Sequence, residues 1–119
     1  MNLDFEYKDK YGKPLDVLEW GKLFEDPKYR FVAQDYLGDN LISTVWVGVP
    51  QLIWTEKGFK FSGYFETAVI SPARKELEMM RYETLEEAEL GHAAIVYLWQ
   101  TKTCDPKDLE RSAVEKDPD

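Results

Sequence analysis

The sequence predicts an α+β fold: an antiparallel sheet of about four strands, with one long C-terminal helix and a shorter N-terminal helix packed on it. Three observations carry this. Runs with apolar residues at alternate positions recur between turn-forming residues from Tyr29 to Tyr82, the span from Leu85 to Thr101 has helical periodicity, and a capped helical stretch begins at Asp16.

Leu3, Phe5 and Tyr7 alternate with Asp4 and Glu6, the pattern of a short half-buried strand, and the DKYGKP that follows has turn chemistry. In DVLEWGKLFEDP, Asp16 stands at an N-cap and Glu19 completes a capping box. Val17, Trp20, Leu23 and Phe24 fall at helical spacing, and Pro27 marks the stop. From Tyr29 to Leu37 aromatic and β-branched residues alternate in part. Gly38, Asp39 and Asn40 then tolerate the positive φ of a tight reversal, which predicts a hairpin. The returning Leu41–Val49 is apolar on both faces apart from Ser43 and Thr44, as in a central strand covered on two sides or lying at an interface, and Pro50 ends it.

Leu52–Thr55 and Phe59–Phe61 read either as a small ribbon around EKG or as a long aromatic loop. Tyr64–Ile70 and Leu77–Tyr82 read as strands, the second with Leu77 and Met79 facing opposite to Glu78 and Met80. The long helix has Thr84 as N-cap and Glu87 at the capping-box position. Glu86, Glu87 and Glu89 stand where the helix dipole favours negative charge. Residues 1–101 form one domain on this reading, and 102–119 a polar tail in which Asp105 and Pro106 open at most a short helix.

Composition narrows the function. Of 119 residues, 44% are hydrophobic and 14% aromatic, including four Trp, enough for a dense core. A net charge of −8 opposes direct binding to nucleic-acid phosphates or anionic membrane, which relies on a basic surface. The single Cys104 cannot form an intramolecular disulfide, and one thiol with one imidazole is too few for a Cys/His zinc cage. The start lacks the apolar region of a secretion signal, and no apolar run approaches the roughly 20 residues that cross a bilayer. A cytoplasmic protein without cofactor or metal is the expectation.

The lone histidine, His92, lies in ELGHAAIVYLW. At about 100° per residue, Leu85, Ala88, His92, Ile95, Val96 and Trp99 share one stripe with His92 near its centre. Two readings follow. The ring is a core group bonded to the sheet beneath, as buried polar groups usually are, or it lines a helix–sheet ligand pocket together with Glu66, Trp46 and Thr44. Gly91 costs a helix roughly 1 kcal/mol against Ala, which implies a close approach that excludes a side chain there. Leu90, Ala94 and Tyr97 form a second apolar stripe, to be covered by the N-terminal helix or by another subunit.

A nucleophile–histidine–acid site would have to use His92, with Ser43, Thr44, Ser62, Glu66 and Thr67 as eligible partners; none stands in a nucleophile-elbow motif. Glu66 in YFETAV either enters a low-dielectric cleft or faces solvent beside a Lys or Arg. Calcium-loop, HExxH and phosphate-loop patterns are missing. Lys57 and Lys60 interleave with Phe59, Phe61, Tyr64 and Phe65, which reads better as an aromatic hairpin than as a base-stacking surface. Trp20, Trp46 and Trp99 read as core anchors. Trp54, in the least regular segment, marks a candidate partner surface with Phe59 and Phe61, joined by Leu90 and Tyr97 on the helix. Glu76, Glu78, Glu83, Glu86, Glu87 and Glu89 form either a solvated face or a mimic of a phosphate array.

LFEDPKYRFVAQDYLGDNLISTVWVGV, FETAVI and RYETLEEAELGH, spread over residues 14–96, resemble the signature blocks of a family of small proteins encoded by tailed bacteriophages and prophages. STVW, FET and the spacing of RYET, EEA and GH are the specific parts. The resemblance implies a phage context, host cytoplasm and an α+β fold, and it carries over no catalytic or binding residue because the family has no established activity. The segment from Val49 to Phe65 is longer and more aromatic than the family pattern. The resulting expectation is a non-enzymatic binding protein with a protein partner, a homo-oligomer included. The alternative is a protein that sequesters a small molecule or nucleotide in the helix–sheet pocket.

Overall fold

The computed structural model describes residues 5–102. In chain order the elements are β1 (Tyr7–Lys8), β2 (Pro14–Leu15), α1 (Val17–Phe24), α2 (Pro27–Arg30), β3 (Phe31–Leu37), β4 (Asn40–Trp46), β5 (Gln51–Thr55), β6 (Gly58–Ser62), β7 (Phe65–Ile70), β8 (Glu76–Tyr82) and α3 (Leu85–Lys102). β3, β4, β7 and β8 form one antiparallel sheet in the order β3-β4-β7-β8. The β5–β6 hairpin, inserted between β4 and β7, pairs only with itself. α3 lies across one face of the sheet, so the α+β architecture holds.

Local chemistry fixes the helix starts. The Asp16 carboxylate accepts from the Glu19 amide at 2.8 Å, and the Glu19 carboxylate accepts from the Asp16 amide at 3.0 Å, satisfying two amides that α1 leaves free. Thr84 accepts from the Glu87 amide at 3.1 Å, while the Glu87 carboxylate reaches one residue further back, to the Glu83 amide. α2 departs from expectation. Asp26 caps the Lys28 amide and Pro27 occupies the first helical position, so Tyr29 and Arg30 finish a helical turn and β3 begins only at Phe31.

Two strand limits also differ. β4 stops at Trp46, because the Val47 and Gly48 amides both donate to the Tyr64 carbonyl and the chain leaves the sheet there. At Gly48, φ is +78° and an added Cβ would stand 2.3 Å from the Trp46 ring, so only glycine fits this departure. The expected N-terminal strand is reduced to the Tyr7–Lys8 ladder with Pro14–Leu15; Leu3, Asp4 and the tail helix at Asp105 lie outside the described residues.

Every second residue of the central strands faces α3. Ile42, Thr44 and Trp46 of β4 and Phe65, Thr67 and Val69 of β7 are buried under Ala88, His92 and Ile95. Fully burying a large apolar side chain contributes about 1.5–3 kcal/mol, so this layer dominates stability. Trp20, Leu23 and Phe24 of α1 close the Trp46 end, and Leu37, Val96 and Trp99 close the other. Gly91 lets the helix lie over the Tyr82 ring, which a Cβ would approach to 2.2 Å. Among the described residues no helix is long and apolar enough to cross a membrane.

Candidate functional site

Thr44 and Thr67 are directly opposed across β4 and β7 on the face that α3 covers, and their hydroxyls are hydrogen-bonded to each other. α3 then lowers His92 onto Thr44, with Nδ1 2.7 Å from Thr44 Oγ1. The other ring nitrogen, Nε2, lies 2.8 Å from Asp35 Oδ2 on β3. Three strands and the helix are thereby joined by one polar chain running from the core to the rim.

The directions of these bonds follow from what each group can donate. An ionised carboxylate only accepts, so Nε2–H donates to Asp35. With Nδ1 accepting from Thr44, and Thr44 accepting from Thr67, every buried atom of this polar chain is satisfied. Reversing the chain would require an acceptor for the Thr67 hydroxyl, and no other described residue provides one.

Asp, His and Thr in line have the composition of a catalytic relay, but access is inverted. The acid, Asp35, is exposed, whereas Thr44 is 0% exposed and Thr67 is buried. A nucleophile must reach its substrate, so this chain ties the sheet to the helix and leaves no attacking hydroxyl. Trp46 is equally enclosed, its Nε1 donating to the Lys8 carbonyl. Of the residues expected around a ligand pocket, Thr44, Trp46 and His92 are all buried in the interior between helix and sheet. Glu66 does not join them. It lies on the opposite face of β7, its Oε1 3.2 Å from Arg81 Nε. Ser43 and Ser62 are also elsewhere, bonded to Gln34 and Glu83. Asp35 is the site residue that the sequence reading did not select. Its alternation with Ala33 and Leu37, an acid on an apolar strand face, is the signal that marks it.

The β5–β6 hairpin is the second feature. Its register pairs Leu52 with Phe61 and Trp54 with Phe59, placing all four side chains on one face of the ribbon. Phe61 packs on Phe5, and contacts continue through Tyr7 and Trp20 to Phe24. Toward the tip the face is open: Trp54 is 70% exposed, its ring set edge-on to Phe59 with centroids 4.6 Å apart.

The root of this arm is clamped. Arg81 Nη1 donates to the carbonyls of Val49 and Gly63, and Glu83 Oε1 accepts from the Ser62 hydroxyl and the Gly63 amide. Glu83 and Glu87 are thus engaged in local structure, and Glu78 accepts from Trp99 Nε1, so the acidic run is not a uniformly free array. On α3, Leu90 and Tyr97 are each 67% exposed; α1 does not cover them.

Among the described residues no three His, Cys, Asp or Glu side chains are grouped to hold a metal ion. Comparison of the chain with protein-family models, with curated proteins and with solved structures gives no match.

Proposed function

We propose that this chain is a non-enzymatic binding protein that engages another protein through the apolar face of the β5–β6 arm, with Trp54 as the anchor. The observation that carries the reading is the exposed, edge-stacked Trp54–Phe59 pair on a ribbon whose root is fixed and whose tip is open. Large aromatics held in a defined geometry lose little entropy on docking and dominate binding energetics where they become buried. The burial of Thr44, Trp46 and His92, with Glu66 on the opposite face, weighs against a small molecule or nucleotide held among these four, and a buried Thr44 weighs against catalysis. The resemblance to proteins of tailed phages supports a host component in the host cytoplasm as the partner.

The test is native mass spectrometry of the protein and its Trp54→Ala variant purified from infected bacterial cells. A protein partner retained by the parent and lost from the variant, with unchanged melting temperature, is the expected result. A partner kept by the variant, or a bound small molecule in its place, would overturn the reading.

A further inference from the structure

The layer that covers the sheet covers one face only. On the opposite face the register sets Tyr36 beside Leu41, Leu41 beside Ile70 and Ala68 beside Met79, with Val45 alongside. Tyr36 is 70% and Met79 40% exposed. An antiparallel sheet facing water normally alternates apolar and polar residues, yet here polar groups cancel one another: Glu66 lies against Arg81, and Gln34 donates to Ser43. At the end of this face lies a hollow of about 330 Å³ lined by Tyr36, Leu41, Ile70 and Pro72 together with Asp39, Ser71 and Arg74.

The outer surface of the molecule on the other side is α3, and it is anomalous in the matching way. From Leu90 to Thr101 the helix has no charged side chain on any face, in a chain that is 32% charged. Helices apolar all round are normally buried, but Leu90, Ala93, Ala94, Tyr97 and Leu98 are exposed. The two bare surfaces therefore lie on opposite sides of a two-layer structure. One is an apolar pleated face with a recess, and the other is an apolar helical ridge with projecting Leu90 and Tyr97. That is the pairing the chain already makes internally, where the inner stripe of α3 seats on the inner face of the sheet.

We propose that copies of this chain associate head to tail, the α3 ridge of one seated on the open sheet face of the next. Charge favours a second copy as the occupant: the chain carries −8 overall, yet on the sheet face Glu66 is offset by Arg81 and Asp39 by Arg74, and Leu90–Thr101 carries no Asp, Glu, Lys or Arg, so like copies meet without local repulsion there. The chain's own remaining residues are a poor cover, because 1–4 and 103–119 together offer, besides two prolines, only Met1, Leu3, Cys104, Leu109, Ala113 and Val114 as apolar groups among many charges. Four strands about 4.8 Å apart and six residues deep give a flat footprint on the order of 400 Å². This is half of the roughly 800 Å² per partner in a standard interface before side-chain relief is counted. A patch that fits a recess elsewhere on the same molecule makes a heterologous contact, which propagates into rings or filaments.

The test is light scattering over a concentration series with two variants at exposed positions, Tyr97→Lys on the ridge and Met79→Lys on the sheet face, each verified as folded by its melting curve. Leu90→Gln and Tyr36→Gln replace them where one does not fold. The parent is expected to exceed the 13.9 kDa of one chain increasingly with concentration, and each variant to need about tenfold or more protein to associate. An equimolar mixture of the two variants should stop at twice the single-chain mass, since one intact ridge meets one intact face. A parent that stays at single-chain mass up to millimolar concentration, a ridge variant that associates like the parent, or a mixture that stays monomeric would each overturn the proposal.

Discussion

His92 Nδ1 and Thr44 Oγ1 lie 2.7 Å apart in the core, a contact that joins the middle of α3 to the central strand. Because Thr44 also bonds Thr67, and the ring's other nitrogen bonds Asp35, the contact is one link of a chain that no apolar residue can replace singly. His92→Ala is expected to cost about 3 kcal/mol, from unpaired hydroxyls and a cavity, and to lower Tm by on the order of 10 °C. Partner capture by Trp54 should persist below the new Tm. Thr44→Val and Thr67→Val should each destabilise, and the double variant should cost clearly less than their sum, because removing both partners strands fewer polar atoms. Additive losses in urea unfolding would show that the chain is not a unit.

What was legible in the sequence was local. The limits of α3 could be read because cap and periodicity lie within the element, and His92 falls on the inward stripe for the same reason. The need for a bare position at Gly91 was legible, but its cause, the Tyr82 ring on a neighbouring strand, was not. The sequence alone does not divide a cleft from an ion pair for Glu66, because its fate depends on Arg81 standing opposite it, and register is set by turns and by the burial of whole faces. The Asp26–Pro27 pair that opens α2 was a readable signal, outweighed by the β-rich residues after it. Whether the 51–62 ribbon packs on the sheet or projects from it is not written in alternation, which looks alike in both cases.

Gly91 and Tyr82 offer a two-sided check on the helix–sheet spacing. Alanine would gain roughly 1 kcal/mol of helix propensity but drive its methyl into the ring, an overpacking that costs about 1–3 kcal/mol. Gly91→Ala is therefore expected to destabilise, and in a Tyr82→Leu background the same change should become neutral or favourable. The Tyr82 hydroxyl is buried without a hydrogen-bond partner among the described residues. Tyr82→Phe should thus leave the urea midpoint unchanged or raise it. A clear loss in that variant would reveal a partner for the hydroxyl.

The arm's root predicts a separation of local from global stability. Glu83 Oε1 holds Ser62 and Gly63, and Arg81 holds Val49 and Gly63, yet none of these bonds lies in the core under α3. Glu83→Ala should speed amide exchange across residues 51–62 by about tenfold, equivalent to roughly 1.4 kcal/mol of local opening, while Tm falls by only a few degrees. Exchange accelerated equally in β4 and β7 would mean that the arm and the sheet open together.

Alkaline unfolding follows from two hydroxyls and one ammonium. Burial pushes the Tyr29 hydroxyl up, against the lowering effect of the bond it accepts from the Lys10 amide. Burial also pushes Tyr64 up, reinforced by the negative charges of Glu83 and Glu6. A group raised in the folded state gives stability that is complete below its unfolded pKa, near 10 for tyrosine, and is lost as pH climbs through the folded value. Lys10 is lowered, by burial in the first place and against the pull of Glu89, so its contribution runs the other way and improves as pH rises. The tyrosine contributions are therefore lost and the lysine contribution gained over the same range, above about pH 10. Tyr29→Phe and Tyr64→Phe should each retain more stability than the parent on going from about pH 9 to about pH 11 in urea titrations taken at stepped pH, and the double variant more still. A double variant whose stability followed the parent's at every pH would show that neither hydroxyl contributes to the alkaline response.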